Sequence, residues 1–251
     1  MRVLFVGDIY GSPGREYFME KIDEVRKEEK INLVIVNAEN ANHGRGITKK
    51  IYKELMEKGV SSITMGNHTW GNKEIFELLD DANIVVPANY PEAPGKKYIT
   101  INYNGKTLTV INLLGRVYMN NMTLDCPFKK AKEIIDSVKS DYYLIDFHAE
   151  ATSEKIAFGQ YLDGMATAIV GTHTHVQTAD DRVLPNGTLY ITDVGMTGPY
   201  DGVIGVKSSV ILNKFTKGTY EPNDTAAGKR QMSAVVLDFT KKTIKRILIH
   251  E

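Results

Sequence analysis

Lys30-Ile31-Asn32-Leu33-Val34-Ile35-Val36, followed at once by Asn37-Ala38-Glu39-Asn40, is the stretch on which the fold turns. Apolar residues on nearly every position suit a strand covered on both faces, and the abrupt change to polar side chains puts Glu39 and Asn40 just past its carboxyl end. The flanking segments repeat this design. Upstream, Val3 to Val6 is a short strand ending in Gly7-Asp8. Ser12-Pro13 then reads as an N-cap with proline at the first helical position, and Tyr17, Phe18, Ile22 and Val25 recur at helical spacing. Downstream, the glycine-bearing loop His43-Gly44-Arg45-Gly46 leads to Thr48, a cap for a second helix. Val60 to Met65 is a third strand, closing with Gly66-Asn67-His68. The order βαβαβ predicts an α/β protein whose parallel sheet has helices on both faces.

Further along the pattern changes. Tyr98 to Tyr103 and Thr107 to Leu113 flank Asn104-Gly105, the signature of a two-residue hairpin, so the sheet is mixed or split in two. A helix near Lys129 to Val138 precedes the strand Tyr142 to Phe147, which delivers His148. A helix over Ser153 to Leu162 precedes the apolar run Ala166 to Val170, which delivers Gly171-Thr172-His173-Thr174-His175. Leu189 to Thr192 is another strand, Asp193 to Gly205 is a Gly-rich loop, and Ala234 to Phe239 with Ile244 to Ile249 makes a closing hairpin. With no internal repeat and no linker, residues 1–251 are expected to form one domain.

Composition narrows the function. With 31 basic and 31 acidic residues the formal net charge is zero, which offers no basic face for a long nucleic acid. No 18-residue apolar stretch suggests a membrane span, and a cytoplasmic protein is expected. Cys126 is the one cysteine, so no intrachain disulfide forms; ahead of Pro127 at a helix start it reads as a buried structural thiol.

Asp8, Glu39 with Asn40, Asn67 with His68, His148, and His173 with His175 all follow strands directly. In an open α/β sheet the carboxyl ends of the strands line the ligand crevice, so these residues should converge. Each has an ordinary alternative: Asp8 as a helix cap, Glu39 and Asn40 as self-bonded loop residues, His148 as a core histidine. Chance agreement across five strands is harder to arrange than a metal site. Carboxylates, amide oxygens and imidazoles together suit Mn²⁺, Fe²⁺ or Zn²⁺ rather than thiolate-bound structural zinc. They are too many for one ion and about enough for two sharing a carboxylate, the arrangement that clamps an in-line phosphoryl displacement.

Gly7-Asp8, Glu39-Asn40, Gly66-Asn67-His68, His148 and Gly171-Thr172-His173-Thr174-His175, in this order, resemble the calcineurin-like metallophosphoesterases. Asn37-Ala38-Glu39-Asn40-Ala41, Gly44-Arg45-Gly46-Ile47-Thr48, Asn67-His68-Thr69-Trp70 and Asp193-Val194-Gly195-Met196-Thr197-Gly198-Pro199 resemble the bacterial YmdB-like branch. The resemblance implies a four-layer αββα-type sandwich with mixed sheets and the helices outside. It departs from the superfamily pattern at Tyr10, where the usual Asp-x-His has its histidine, and at Glu39, where the bridging residue is usually aspartate. By resemblance, Asp8, Glu39, Asn40 and His175 hold one ion, Glu39, Asn67, His148 and His173 hold the other, and Glu39 bridges. His68 is then the acid or phosphoryl stabiliser, and a water bridging the ions is the nucleophile. The cofactors implied are two iron or manganese ions, with zinc as a further candidate. The substrate implied is a small cyclic nucleotide, 2′,3′-cyclic and also 3′,5′-cyclic, and self-association into a homo-oligomer is in keeping with exposed hairpins. A phosphomonoesterase, a short-RNA nuclease and a non-catalytic metal-stabilised module are the alternatives. Arg45, Tyr200 and Asp201 stay outside the catalytic set.

Overall fold

The structure is a computed structural model that describes residues 1–119 and 123–251. In chain order the first elements are β1 (Arg2–Val6), β2 (Asp8–Ile9), α1 (Gly11–Glu28), β3 (Leu33–Asn37), α2 (Lys49–Glu57) and β4 (Ser62–Thr64). A 3-10 turn (Lys73–Glu77), β5 (Ile84–Val85), β6 (Tyr98–Tyr103), β7 (Lys106–Leu114), α3 (Pro127–Ser137), β8 (Tyr142–His148) and α4 (Thr152–Tyr161) follow. The last are β9 (Ala168–Thr172), β10 (Arg182–Val183), β11 (Leu189–Ile191), β12 (Met196–Pro199), α5 (Ser208–Lys217), β13 (Arg230–Asp238) and β14 (Thr243–His250).

Two sheets stand back to back. One runs β2-β12-β13-β1-β3-β4-β5 with β14 on β13; the other runs β10-β11-β9-β8-β7-β6. Within them β1, β3, β4 and β5 are parallel, as are β7, β8 and β9, so their carboxyl ends open at one rim of the sandwich. Both sheets are mixed, because β13 is antiparallel to β1 and β6 to β7.

The apolar runs are continuous because each strand feeds two cores. Val3 and Phe5 of β1, with Leu33 and Ile35 of β3, point between the sheets and meet Leu108, Val110 and Leu144 of the second sheet. Leu4, Val6, Val34 and Val36 point outward and are covered by Tyr17, Phe18 and Ile22 of α1 and by Ile51 and Leu55 of α2. On the far side Ile111, Leu113, Ile145 and Phe147 pack under Ala131 and Ile134 of α3 and Phe158 of α4. Four layers result, αββα, as the resemblance implied.

Local signals explain most boundaries. Asn104 and Gly105 both take positive φ, 48° and 74°, the conformation a two-residue hairpin needs to match strand twist. Thr48 caps α2, its side chain accepting from Ile51 N. Ser12 does not cap α1: the helix opens at Gly11, and Tyr10 holds the cap position without a side-chain bond. The second strand starts at Leu33 rather than Lys30, because Lys30 turns through a left-handed φ of 52° and Ile31 N closes α1 on Arg26 O. Cys126 is only half-buried, at the cap of α3. The Gly-rich segment 193–205 contains β12, whose Met196 and Thr197 pair with Asp8 and Ile9. This pairing carries the chain past Gly7, where a Cβ would overlap the Gly195 carbonyl. Among the described residues no helix is long and apolar enough to cross a membrane.

Phe158 stacks on Phe147 with ring centroids 4.0 Å apart and is fully buried. Phe158→Ala should lower unfolding free energy by about 3–5 kcal/mol, the cost of a large cavity that cannot collapse. Urea denaturation measures it, and a loss below about 1 kcal/mol would show that α4 is not tied to the second sheet in this way.

Candidate metal centre

The seven candidate ligands and His68 meet at the open rim. Asp8, Glu39, Asn40 and His148 are buried, whereas Asn67, His68, His173 and His175 are partly exposed. Glu39 lies at the middle: its Oε1 is 3.4 Å from His148 Nε2 and 3.2 Å from His68 Nδ1, and its Oε2 accepts from His68 N at 2.8 Å. Gly66 lets these groups close up, since a Cβ there would overlap both the Glu39 carboxylate and the His148 ring.

On one side of Glu39, His148 Nε2 stands 2.9 Å from Asn67 Oδ1 and 3.1 Å from His173 Nδ1. Ligand atoms of Glu39, His148 and His173 all lie within 4.8 Å of one another. On the other side, Asn40 Nδ2 is surrounded by Glu39 Oε1 at 3.0 Å, His175 Nε2 at 3.1 Å and Asp8 Oδ1 at 3.5 Å. Three acceptors around one neutral amide call for positive charge; Oδ1 of that amide faces His68 Nδ1 at 2.8 Å, so Asn40 could serve as a ligand to this group only with its amide turned over. His173 Nδ1 thus lies 3.1 Å from His148 Nε2 and His175 Nε2 3.1 Å from Asn40 Nδ2, while Asp8 Oδ1 is 3.9 Å from both His175 and His148 and Asp8 Oδ2 accepts from His173 N.

Electrostatics point the same way. Burial pushes the His148 imidazole toward neutrality, yet Glu39, Asp8 and Asp146 outweigh it and raise its pKa to about 9. Burial raises the Glu39 carboxyl, but His148 and His68 overcome this and hold it well below the usual range. Burial lifts Asp8, and burial together with the His148 charge drives His173 down to about 3. Shifts in opposite directions among groups this close, up at His148 and Asp8 and down at Glu39 and His173, mark a site whose charge balance a cation would change.

Several supporting groups escaped the sequence reading. Asp146, fully buried and raised by burial to about 6, accepts from Thr172 Oγ1 at 2.6 Å, Thr64 Oγ1 at 2.5 Å and Asn37 Nδ2 at 3.0 Å. Thr172 has one proton and gives it to Asp146, so it can only accept at its 2.8 Å contact with His148 Nδ1. That contact fixes Nδ1–H, leaving Nε2 free for the centre. Glu150 does the same for His173, with Oε2 3.1 Å from Nε2 while Nδ1 faces inward. The buried Lys155–Asp193 pair, 2.6 Å, anchors the histidine loop: Lys155 Nζ donates to Thr172 O, and Asp193 accepts from Thr174 N and Gly195 N. These anchors hold His173 and His175 at φ of 104° and 66°, which costs on the order of 1–3 kcal/mol at each non-glycine residue. A lone aspartate two residues before His148 in an otherwise apolar strand was the available signal for Asp146. Arg45 is exposed and outside the cluster.

Back-to-back mixed sheets, with carboxylates, amides and imidazoles gathered at the parallel strand ends, define a calcineurin-like metallophosphoesterase. The chain belongs to the YmdB-like family: the family model described as "YmdB-like protein" matches residues 4–251. A Bacillus subtilis (strain 168) relative, named 2′,3′-cyclic-nucleotide 2′-phosphodiesterase, is 52% identical over 260 residues, covering 100% of this chain and 98% of its own. A solved structure of a hypothetical protein from Thermus thermophilus superposes with a TM-score of 0.95 at 41% identity, covering 100% of both chains. A structure from Mycoplasma pneumoniae, described as a novel phosphatase, gives 0.93 at 37% identity over 100% of this chain and 93% of that one.

Thr172→Val keeps the shape but removes the acceptor for His148 Nδ1–H, and should weaken metal binding about 10- to 100-fold. Competition against a chelator measures this; Thr172→Ser should retain wild-type affinity. Equal affinity in Thr172→Val would show that Asp146 and Thr172 do not orient the ligand.

Proposed function

We propose that this phosphoric diester hydrolase opens 2′,3′-cyclic nucleotides, with His68 as the proton donor beside a dinuclear centre. The residues fit two cations: Asp8, Asn40 and His175 would hold one, Asn67, His148 and His173 the other, and Glu39 both. Iron or manganese suits this donor set, with zinc as a further candidate. When bound, such ions withdraw charge from the phosphoryl oxygens and acidify the attacking water.

The observation that carries the reading is the placement of His68. It lines a cavity of about 280 Å³ together with Glu39, Asn40, His173 and His175. Its Nδ1 is engaged, 2.8 Å from Asn40 Oδ1 and 3.2 Å from Glu39 Oε1, while Nε2 has no hydrogen-bond partner among the described residues. With the Asn40 oxygen turned to a cation, a protonated His68 keeps Nδ1–H on Glu39 Oε1 and has Nε2–H to give. Water adds to phosphorus, the P–O2′ bond breaks, and the ribose oxygen leaves with the proton from His68 rather than as an alkoxide. Glu39 aims the ring, facing Nδ1 and accepting from His68 N, so proton donor and metal ligands share one frame.

The zero net charge, which offers no basic face for a polymer, supports a substrate as small as a single nucleotide. The name of the Bacillus subtilis relative supports the same substrate class. His68→Ala should cut turnover of 2′,3′-cyclic AMP about 100-fold or more while bound metal, counted by elemental analysis, is unchanged. Full activity in that variant removes His68 from the chemistry. Faster wild-type turnover of p-nitrophenyl phosphate than of any cyclic nucleotide would favour a phosphomonoesterase instead.

A further inference from the structure

A second cavity, about 270 Å³, adjoins the first, and His175 and Ile204 line both. Ile204 O accepts from His175 Nδ1 at 2.9 Å, so the wall between them is a fixed ridge rather than a loose side chain. Beyond the ridge the surface changes character. Val176 is 61% exposed, Tyr200 50%, Ile204 51% and Leu248 51%, four large apolar side chains left in water around one groove. Among the described residues no carboxylate, lysine or arginine lines it, although charged residues make up 25% of the chain. These apolar side chains share the groove with Gln177, Gln231 and Ser233, and a concave surface of mixed character beside a polar centre suits a ligand that is itself apolar on its faces and polar at its edge. The Tyr200 ring is already set, stacked on His250 with centroids 5.5 Å apart and planes 15° from parallel. Gln231 also lines the groove, and its side-chain amide has no partner among the described residues.

We propose that this groove is the nucleoside subsite: it receives the uncharged purine or pyrimidine ring while the phosphodiester lies across the His175–Ile204 ridge. A planar heterocycle matches each feature. It buries apolar faces against Val176, Ile204 and Leu248, stacks with Tyr200, and presents a donor–acceptor edge to Gln231. A second phosphodiester does not match, because nothing cationic waits for it, so the groove also favours one nucleotide over a chain of them. The assignment rests on the cyclic-nucleotide reading of the neighbouring centre.

Calorimetric titration of the metal-loaded protein with adenosine, which has a base and ribose but no phosphate, tests it. Tyr200→Ala should raise the adenosine Kd roughly tenfold, within the range for loss of one base–aromatic stack, and Tyr200→Phe should keep it. The KM for 2′,3′-cyclic AMP should rise in Tyr200→Ala by more than kcat falls. Absence of adenosine binding to the wild type, or equal Kd values in all three proteins, would overturn the subsite. So would a wild-type dimer that Tyr200→Ala dissociates with no change in adenosine affinity, since a second copy would then occupy the groove. Failure of the wild type to turn over any cyclic nucleotide would instead defeat the substrate reading, and the adenosine titration would still decide whether the groove binds nucleosides.

Discussion

Electron-pair donors crowded at one rim with too few protons among them are the constraint around which this molecule is arranged. Asp8, Glu39, Asn67, His148, His173 and His175 bring acceptor atoms to within about a van der Waals contact of one another. Such groups repel, and burial makes the repulsion worse because water cannot screen it. A fold that nevertheless collects them must hold them from behind and must give them positive charge in front. Asp146, Thr172, Glu150, Lys155 and Asp193 supply the first. Cations would supply the second.

The sandwich makes that arrangement feasible. Strands covered on both faces are stiff, and seven of them run parallel to neighbours with their carboxyl ends at the same rim. Polar residues reach the crevice from these strand ends at defined heights, so the centre needs no long flexible loop to assemble. The strained backbone at His173 and His175 is the exception, and there a buried ion pair and three backbone hydrogen bonds take over from the sheet. The candidate ligands lie innermost, His68 at the cavity wall, and a groove with four exposed apolar side chains beyond His175.

Much of this was legible in the amino-acid sequence because it depends on local pattern. Leu33 to Val36 and Tyr142 to Phe147 declare strands with two buried faces, and Asn104-Gly105 declares its turn. The residues that follow those strands declared the candidate ligand set. What was hidden depends on distant partners. Met196 to Pro199 becomes a strand only because Asp8–Ile9 and β13 lie alongside, which a Gly-rich stretch does not advertise. Ser12 loses the cap because Gly11 and Tyr10 set the entry to α1 one residue earlier. Lys155 and Asp193, 38 positions apart, look like ordinary surface charges until the fold buries them together. Thr172 beside the histidines suggests a hydrogen bond to an imidazole as readily as packing at a turn; that it accepts from His148 is decided by Asp146 on the adjacent strand, which takes its proton.

The central claim is that His173 and His175 serve different cations with Glu39 between them. Anomalous scattering from crystals of the metal-loaded protein tests it most directly. Two peaks are predicted, one in contact with Asp8, Asn40 and His175 and the other with Asn67, His148 and His173, both touching Glu39. A single peak, or one peak held by His173 and His175 together, would contradict the account.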